Sequence, residues 1–338
     1  MTSIYSDAVL IVRPYQLLCL ICVLGDDEDV PSEPALARIR EAIRHDPGVP
    51  IALCCHSDDQ FAYQSPGRDG DTPEGAEFNQ KRDMELLLRL DLTPGTVLPA
   101  NIALARLHQT ITSVDGICGF GAATSPAWQG CRFAGTGRYE RGHARGLSAL
   151  LPERTGEEMQ QEKAASMTAM LTAEAIRIRP HILVCAVAQY GAGIRPPFAE
   201  DNLPELLQHL LQHPETPITL VPAADWMMCA PCPYRCAGRN ACAIGCVKSG
   251  GLYNEMKDLN VLQATGLTFG ATMPARELFG LIFARIPHTA GICALTRELL
   301  ELSCWRDSCG ANPAPCPDYE KGREELMQAM GLNERERC

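Results

Sequence analysis

The strongest chemical signal in the sequence is a cluster of cysteines in its second half. Five cysteines lie in the eighteen-residue segment CAPCPYRCAGRNACAIGC, which runs from Cys229 to Cys246 with the spacing C-x2-C-x3-C-x5-C-x3-C. Thiolates are ligands for zinc and for iron–sulfur clusters, and thiols also pair as disulfides. The segment therefore leaves three kinds of site open: an iron–sulfur cluster, a zinc site, or free or redox-paired thiols.

The spacing of these cysteines favours an iron–sulfur cluster over zinc. A four-cysteine zinc site is usually built from two C-x2-C pairs, and this segment contains one such pair, Cys229 and Cys232. A cluster can take three ligands from one loop and a fourth from a distant residue, so Cys229, Cys232 and Cys236 are the first-choice ligands. The other candidate ligands of this half are Cys185, Cys242, Cys246, Cys293, Cys304, Cys309 and Cys316. Together they allow one or two 4Fe-4S clusters.

Composition predicts a cytoplasmic protein that binds neither nucleic acid nor membrane. The N-terminal segment lacks a basic leader and a small-residue cleavage site, and its apolar stretch is interrupted by Arg13 and Pro14. The net charge of -11 disfavours a phosphate backbone as partner. In a reducing cytosol, clustered thiols bind metal or do chemistry more often than they form disulfides. The partner is then a redox protein or a small-molecule substrate.

The two halves of the sequence resemble each other. VRPYQLLCLICVLG, which begins at Val12, matches IRPHILVCAVAQYG, which begins at Ile178. Further matched pairs are Arg13 with Arg179, Cys19 with Cys185, Asp83 with Asp258, Gly95 with Gly270, Pro99 with Pro274, and Cys118 with Cys293. Three matched blocks in the same order predict an internal duplication.

The resulting fold prediction is a helix-rich α+β protein of two pseudo-symmetric repeats with short strands. The first repeat covers residues 1–150, a helical linker covers 151–175, and the second repeat covers 176–338. VLIVRP and AIRIRP predict strands, each followed by a helix that starts at a proline. Thr155 and Glu158 form a capping-box pattern at the start of the linker helix. Leucines at helical spacing predict an inward face at Leu203, Leu206, Leu207, Leu210 and Leu211.

The repeats differ in their cysteines. The thiols between Cys229 and Cys246 have no matched cysteines in the first repeat, which keeps Cys19, Cys118 and Cys131. We therefore interpret the first repeat as a scaffold or lid and place the site in the second.

Three other features have a structural interpretation beside a functional one. His181 is the candidate catalytic residue, yet a histidine near a helix start is more often a structural hydrogen-bonding group. Cys54 and Cys55 end an apolar strand, where buried cysteine is ordinarily a small hydrophobe. Arg13 and Arg179 recur at the same place in both repeats, which favours a structural ion pair over an anion site.

The segments RPHILVC, MCAPC and ICALTRELLELSCWRDSC resemble a family of small bacterial and archaeal proteins, the domain of unknown function numbered 1284. The resemblance covers most of residues 176–316 and, more faintly, residues 10–131. It implies iron–sulfur binding and no particular reaction. The residues at its motif positions are His181, Cys185, Cys229, Cys293, Cys304 and Cys309.

A bound iron–sulfur cluster would allow two functions. As an electron-transfer or redox protein, the chain would bind a fully cysteine-ligated cluster. As a non-redox enzyme, it would leave one iron open to bind substrate as a Lewis acid. A zinc-binding structural protein is the remaining alternative.

Overall fold

The computed structural model describes residues 9–26, 33–56, 71–119, 122–236, 242, 250–293 and 316–332. It divides into two compact units, Met1–Glu153 and Arg154–Cys338. Each unit combines a small sheet with several helices, so the prediction of a helix-rich α+β fold is confirmed. The candidate ligands Cys246, Cys304 and Cys309 lie outside the described residues.

The first unit is built around a three-stranded sheet. Its strands are β1 (Leu10–Val12), β2 (Pro50–Leu53) and β3 (Val97–Pro99), in the order β1-β2-β3. Strand β1 is parallel to β2, and β3 is antiparallel to β2. Its α-helices are α1 (Pro14–Val23), α2 (Pro34–His45), α3 (Ala76–Leu90), α4 (Ala100–Thr110) and α5 (Arg138–Arg145).

The second unit has the same strand order and pairing directions. Its strands are β4 (Ile176–Ile178), β5 (Pro217–Leu220) and β6 (Thr272–Pro274), with β4 parallel and β6 antiparallel to β5. Its helices are α6 (Gly156–Thr172), α7 (Pro180–Gly191), α8 (Leu203–Gln212), α9 (Trp226–Cys229), α10 (Gly250–Thr265), α11 (Ala275–Arg285), α12 (Ala290–Cys293) and α13 (Pro317–Ala329). The superposition of the two units as pseudo-symmetric copies stays a prediction.

The local predictions at the start of each unit are confirmed. Strands β1 and β4 lie where VLIVRP and AIRIRP predict them, and Pro14 and Pro180 begin the next helices. A proline suits this position because its fixed φ matches the helix and its missing N–H has no intrahelical partner to lose. Strands β3 and β6 were not predicted, since three residues that end in proline are too short to show alternation.

Helix α6, the predicted linker, packs within the second unit. Its capping box is formed: the Glu158 backbone N–H donates to Thr155 Oγ1 at 3.2 Å, and the Thr155 N–H donates to Glu158 Oε2 at 2.7 Å. Ser166 of α6 accepts a 2.7 Å hydrogen bond from Asn202 Nδ2, at the start of α8. Helix α6 therefore supports the elements that carry the candidate ligands.

Each unit contains one helix crossing that only glycine permits. A Cβ at Gly142 of α5 would lie 2.0 Å from the Ile21 carbonyl oxygen of α1. A Cβ at Gly322 of α13 would lie 2.1 Å from the Val187 carbonyl oxygen of α7. Both distances are far below van der Waals contact, so α5 and α13 lie backbone to backbone against α1 and α7.

A tyrosine anchors the same helix in each unit. Tyr139 of α5 donates its hydroxyl to the Ile111 carbonyl at 2.7 Å, and Tyr319 of α13 donates to the Ile286 carbonyl at 2.7 Å. Both acceptors directly follow a helix, α4 and α11, where the last carbonyls lack intrahelical donors. In the part of the chain that the structure describes, no helix has the length and apolar character needed to cross a bilayer.

Candidate functional site

The loop after α9 brings together cysteines that are well separated along the chain. Asp225 caps α9 by accepting a 2.8 Å hydrogen bond from the Met227 N–H. The Cys232 N–H then donates to the Cys229 carbonyl at 3.0 Å, so the C-x2-C pair lies in one tight turn. An antiparallel bridge pairs Arg235 with Cys242, and this returns the chain to that turn.

Three thiols of this loop, those of Cys229, Cys232 and Cys242, lie within electrostatic range of one another. Burial raises the pKa of Cys229 well above its usual value, and Asp225, Cys232 and Cys242 raise it further. Burial also raises the pKa of Cys232, with a further contribution from Cys242, while the Tyr234 backbone N–H opposes the shift. The thiols therefore hold their protons at neutral pH until a cation replaces them.

Two arginines hold this loop to helix α6. Arg154 donates to the carbonyls of Ala230 and Cys232 and also pairs with Glu162. Arg235 pairs with the same Glu162 carboxylate at 2.5 Å. These contacts restrain the backbone on either side of Cys232.

A buried ionic group lies at the start of α7. Asp258 accepts hydrogen bonds from Arg179 Nε at 2.8 Å, from the His181 backbone N–H at 2.9 Å, and from His181 Nδ1 at 2.6 Å. Burial alone would raise the pKa of Asp258, but the His181 ring N–H and Arg179 outweigh it and hold that pKa below its usual range. The prediction of a structural ion pair at Arg179 is confirmed.

His181 is neutral in this setting. Burial lowers its pKa to about 4, although the hydrogen bond to Asp258 opposes the shift. A neutral ring that faces an ionised carboxylate carries its proton on Nδ1, which leaves Nε2 as the acceptor. The contacts of His181 are those of a structural residue. Metal-binding histidines use the same Nδ1–H tautomer when Nδ1 donates to a carboxylate and Nε2 binds the metal.

The first unit repeats this ionic group with a tyrosine in place of the histidine. Asp83 accepts from Arg13 Nε at 2.8 Å and from the Tyr15 backbone N–H at 3.0 Å, so the ion pair predicted at Arg13 is also confirmed. The Tyr15 hydroxyl donates to Asp71 instead, at 3.2 Å. Without an imidazole donor, burial raises the pKa of Asp83 to about 6 against the lowering effect of Arg13.

Three further candidate ligands of the second unit form a separate group. Cys185, Cys293 and Cys316 line a cavity of about 330 Å³, together with Thr289 and Asp318. The Cys316 N–H donates to Thr289 Oγ1 at 2.9 Å, which fixes the start of α13. The candidate ligands that the structure describes thus fall into a loop group and a cavity group. Cys236 belongs to the loop by sequence, directly after Arg235.

Four thiols of the first unit also come together, a grouping that the sequence analysis missed. They line adjoining cavities of about 80 and 20 Å³ with Arg82 and Arg138, and they belong to Cys19, Cys22, Cys118 and Cys131. The available signal was the i, i+3 spacing of Cys19 and Cys22 on a predicted helix, which places both on one face.

The thiol groups differ from preformed ion sites. Within the described ranges, no three His, Cys, Asp or Glu side chains form a group that could hold a metal ion as they stand. Cys229, Cys232, Cys242 and Cys316 carry free thiols. Cys54 and Cys55 are buried at the end of β2 and belong to the apolar interior, as predicted.

Comparison of the chain with protein-family models, with curated proteins and with solved structures finds no match.

Proposed function

We propose that the protein binds a 4Fe-4S cluster through the loop of its second unit and acts as an electron-transfer or redox protein. The proposed ligands are Cys229, Cys232, Cys236 and Cys242. The Arg235–Cys242 bridge, which returns the chain to the turn of Cys229 and Cys232, is the observation that carries this proposal. It supports Cys242 as the fourth ligand, a choice that the spacing alone left open.

The surroundings of the loop suit a cluster that changes charge by one electron. The Tyr234 N–H lowers the pKa of Cys232, and Asn254 Nδ2 lies 3.6 Å from Cys242 Sγ. Hydrogen bonds to ligand sulfurs stabilise the reduced, more negative cluster and so raise its potential. At Cys229, whose pKa is raised, Arg179 opposes the rise in the same sense, but the effect of Asp225 is larger and of opposite sign.

The cavity group favours a second candidate function. The cavity of about 330 Å³ beside Cys185, Cys293 and Cys316 has the size of a small-molecule site and contains the polar side chains of Thr289 and Asp318. A cluster with one open iron beside it could bind a substrate oxygen or sulfur atom. A zinc-binding structural protein remains the third alternative. A reducing, cytoplasmic location and the resemblance to the domain of unknown function numbered 1284 are part of the same proposal.

Metal analysis of single variants tests the loop. Protein purified without oxygen should be brown and contain iron and acid-labile sulfide in nearly equal amounts, because thiolate-to-iron charge transfer absorbs in the visible. Serine at Cys229, Cys232 or Cys236 should remove or destabilise the loop cluster, since a serine oxygen is a harder and more basic ligand. Cys54→Ser is the matched control, because Cys54 belongs to the first unit and is buried there after β2. It should change neither colour nor iron content.

The Cys242→Ser variant separates the two functions. Loss of the loop cluster would support four cysteine ligands and electron transfer. Retention, with a spectrum that changes when small oxygen or sulfur ligands are added, would support an open iron. A colourless wild-type protein with stoichiometric zinc, purified anaerobically from iron-replete cells, would contradict the proposal.

A further inference from the structure

We propose that the first unit binds its own iron–sulfur cluster, through Cys19, Cys22, Cys118 and Cys131. This site shares no residue with the loop of the second unit, so it goes beyond the proposed function and does not depend on it. It also gives the first unit a role other than that of a scaffold or lid.

Tertiary packing assembles the four thiols from three segments. Cys19 and Cys22 lie one turn apart on α1. Cys118 follows α4, and the Cys131 N–H donates to the Cys118 carbonyl at 3.2 Å, which brings the last two cysteines side by side. Burial raises the pKa of Cys22 to about 12 and that of Cys118 to about 11. Cys131 adds to both shifts, so these thiols are within electrostatic range of each other.

Arg82 gives this thiol group a buried positive charge. Its side chain is 1% exposed, and its guanidinium lies over the rings of Tyr15 and Phe78 at 4.4 and 4.9 Å. Its Nη1 lies 4.0 Å from Cys19 Sγ and 3.9 Å from Cys118 Sγ. A cluster bound by four thiolates is negatively charged, and it would supply the anionic partner that this cation faces.

Polar atoms around the thiols remain unpaired in the described part of the chain. Arg82 Nε, Glu74 Oε2 and Arg138 Nε are buried there without a hydrogen-bond partner. Glu74 lies 3.6 Å from Arg82, which is long for an ion pair. Buried N–H groups usually find an acceptor, and the sulfur atoms of a bound cluster would be acceptors for the two arginines. The Glu74 carboxylate, itself an acceptor, is not explained by a cluster.

Four cysteines are a ligand set for a cubane and also for a single zinc ion, and the metal analysis separates the two. The thiols lie around two adjoining cavities of about 80 and 20 Å³, with the Arg82 guanidinium beside Cys19 and Cys118. In a cubane each sulfur binds a different iron. Each thiol would release one proton to solvent as its Fe–S bond forms, with no change in the oxidation state of the cluster.

Two complementary double variants test this site in the full-length chain. Anaerobic Cys229→Ser/Cys232→Ser protein, which lacks the loop pair, should keep about four irons and four sulfides per chain. Cys22→Ser/Cys131→Ser protein should lose that amount and keep the loop cluster. The quadruple variant should contain no iron. Cys54→Ser/Cys55→Ser, at two buried positions of the same unit, should leave the iron content unchanged.

The outcomes for the two sites can be told apart. An iron-free Cys229→Ser/Cys232→Ser protein would overturn this inference and leave the loop proposal standing. An iron-free Cys22→Ser/Cys131→Ser protein would overturn the loop proposal and leave this inference standing. Zinc that follows the first-unit cysteines, or disulfides among them in anaerobic protein, would also overturn the inference. If the double variant fails to fold, Cys22→Ser alone serves, because Cys22 is only partly buried.

Arg82→Lys tests the contact with the cluster through a different measurement. Lysine keeps the charge but loses the planar N–H donors. The iron content should stay the same, while a dithionite titration followed by electron paramagnetic resonance should show a more negative midpoint potential for the first-unit cluster only. An unchanged potential would overturn the placement of the cluster beside Arg82.

Discussion

The two units have the same strand order and pairing directions, but their thiols are arranged differently. Each also has an Arg–Asp pair at the start of the helix that follows its first strand, and a glycine crossing against that helix. A buried cation also recurs: Arg82 lies over Phe78 in the first unit, and Lys257 lies over Tyr253 in the second. The unit with 6 of the 17 cysteines gathers four of them in one place, whereas the described cysteines of the other form two groups.

This difference shows that cysteine density along the chain is a poor guide to where thiols meet. The loop group depends on spacing within one segment, and its sequence is conspicuous. The first-unit group depends on the packing of α1 against the chain that follows α4, and its sequence is not. A search for sites by motif alone finds the first kind and overlooks the second.

The largest expected effect comes from the ionic groups that the units share. Asp258→Asn should destabilise the second unit by about 3–5 kcal/mol, because Arg179 is left buried without its counter-charge. Asp83→Asn should lower the stability of the first unit by less. Asp83 has no imidazole donor, and its pKa is already raised to about 6. Hydrogen exchange measured by mass spectrometry reports each unit through its own peptides. Equal costs in the two units would remove the distinction drawn between His181 and Tyr15.

The glycine crossings should respond alike if the units share one packing geometry. Gly142→Ala and Gly322→Ala should each destabilise their own unit by about 1–3 kcal/mol or more, because the new methyl overlaps a backbone carbonyl. Gly280→Ala is the matched control, since its nearest new contact is Leu332 Cδ2 at 3.5 Å in α11. That change should stabilise the protein by about 0.5–1 kcal/mol, as expected for Gly→Ala in a helix. Thermal and urea unfolding measure the stability of the wild type and of each variant. A Gly142→Ala variant as stable as the wild type would contradict the close approach of α5 to α1.

The smallest effect is the pH dependence that His181 adds to the second unit. Two buried carboxyls act in the opposite direction, because the pKa of Asp225 in the second unit is raised to about 7 and that of Asp83 in the first unit to about 6. His181 has a pKa of about 4 when folded and an ordinary value of 6.5 when exposed. Between these values the unfolded chain binds a proton that the folded chain does not, so stability falls as pH falls, by at most about 1.4 kcal/mol per pH unit. His181→Asn keeps a donor for Asp258 and should flatten this dependence. The free energy of unfolding is compared at pH 7 and pH 5, with Tyr15→Phe as the first-unit control. If wild type and His181→Asn show the same pH dependence, the histidine is not buried in its neutral form.

Much of the fold follows from local sequence. Strands β1 and β4, the helices that start at Pro14 and Pro180, and the Thr155 capping box all depend on residues next to each other in the chain. The inward leucines of α8 are buried at Leu203, Leu206, Leu207 and Leu210, while Leu211 is only partly buried at the edge of that face. These features are predictable because local propensity and packing agree.

The site is less predictable, because its parts meet only through tertiary structure. Nothing near Arg82 in the sequence indicates that its guanidinium reaches Cys19 and Cys118, which are 63 and 36 residues away. The loop ligands were proposed from spacing, yet the division into loop and cavity groups depends on where α12 and α13 pack. The matched pairs of cysteines at positions 19 and 185 and at 118 and 293 were the one long-range clue available.

In the proposed loop site, the shared carboxylate of Glu162 should affect how quickly metal is loaded. Because Arg154 and Arg235 both pair with it, the backbone on either side of Cys232 is restrained when the second unit folds, before any iron arrives. The conformational entropy of the loop is therefore lost during folding and does not oppose metal capture. Glu162→Gln should leave the ligands intact but slow reconstitution of the loop cluster, so that assembly kinetics are set by a residue that never touches iron.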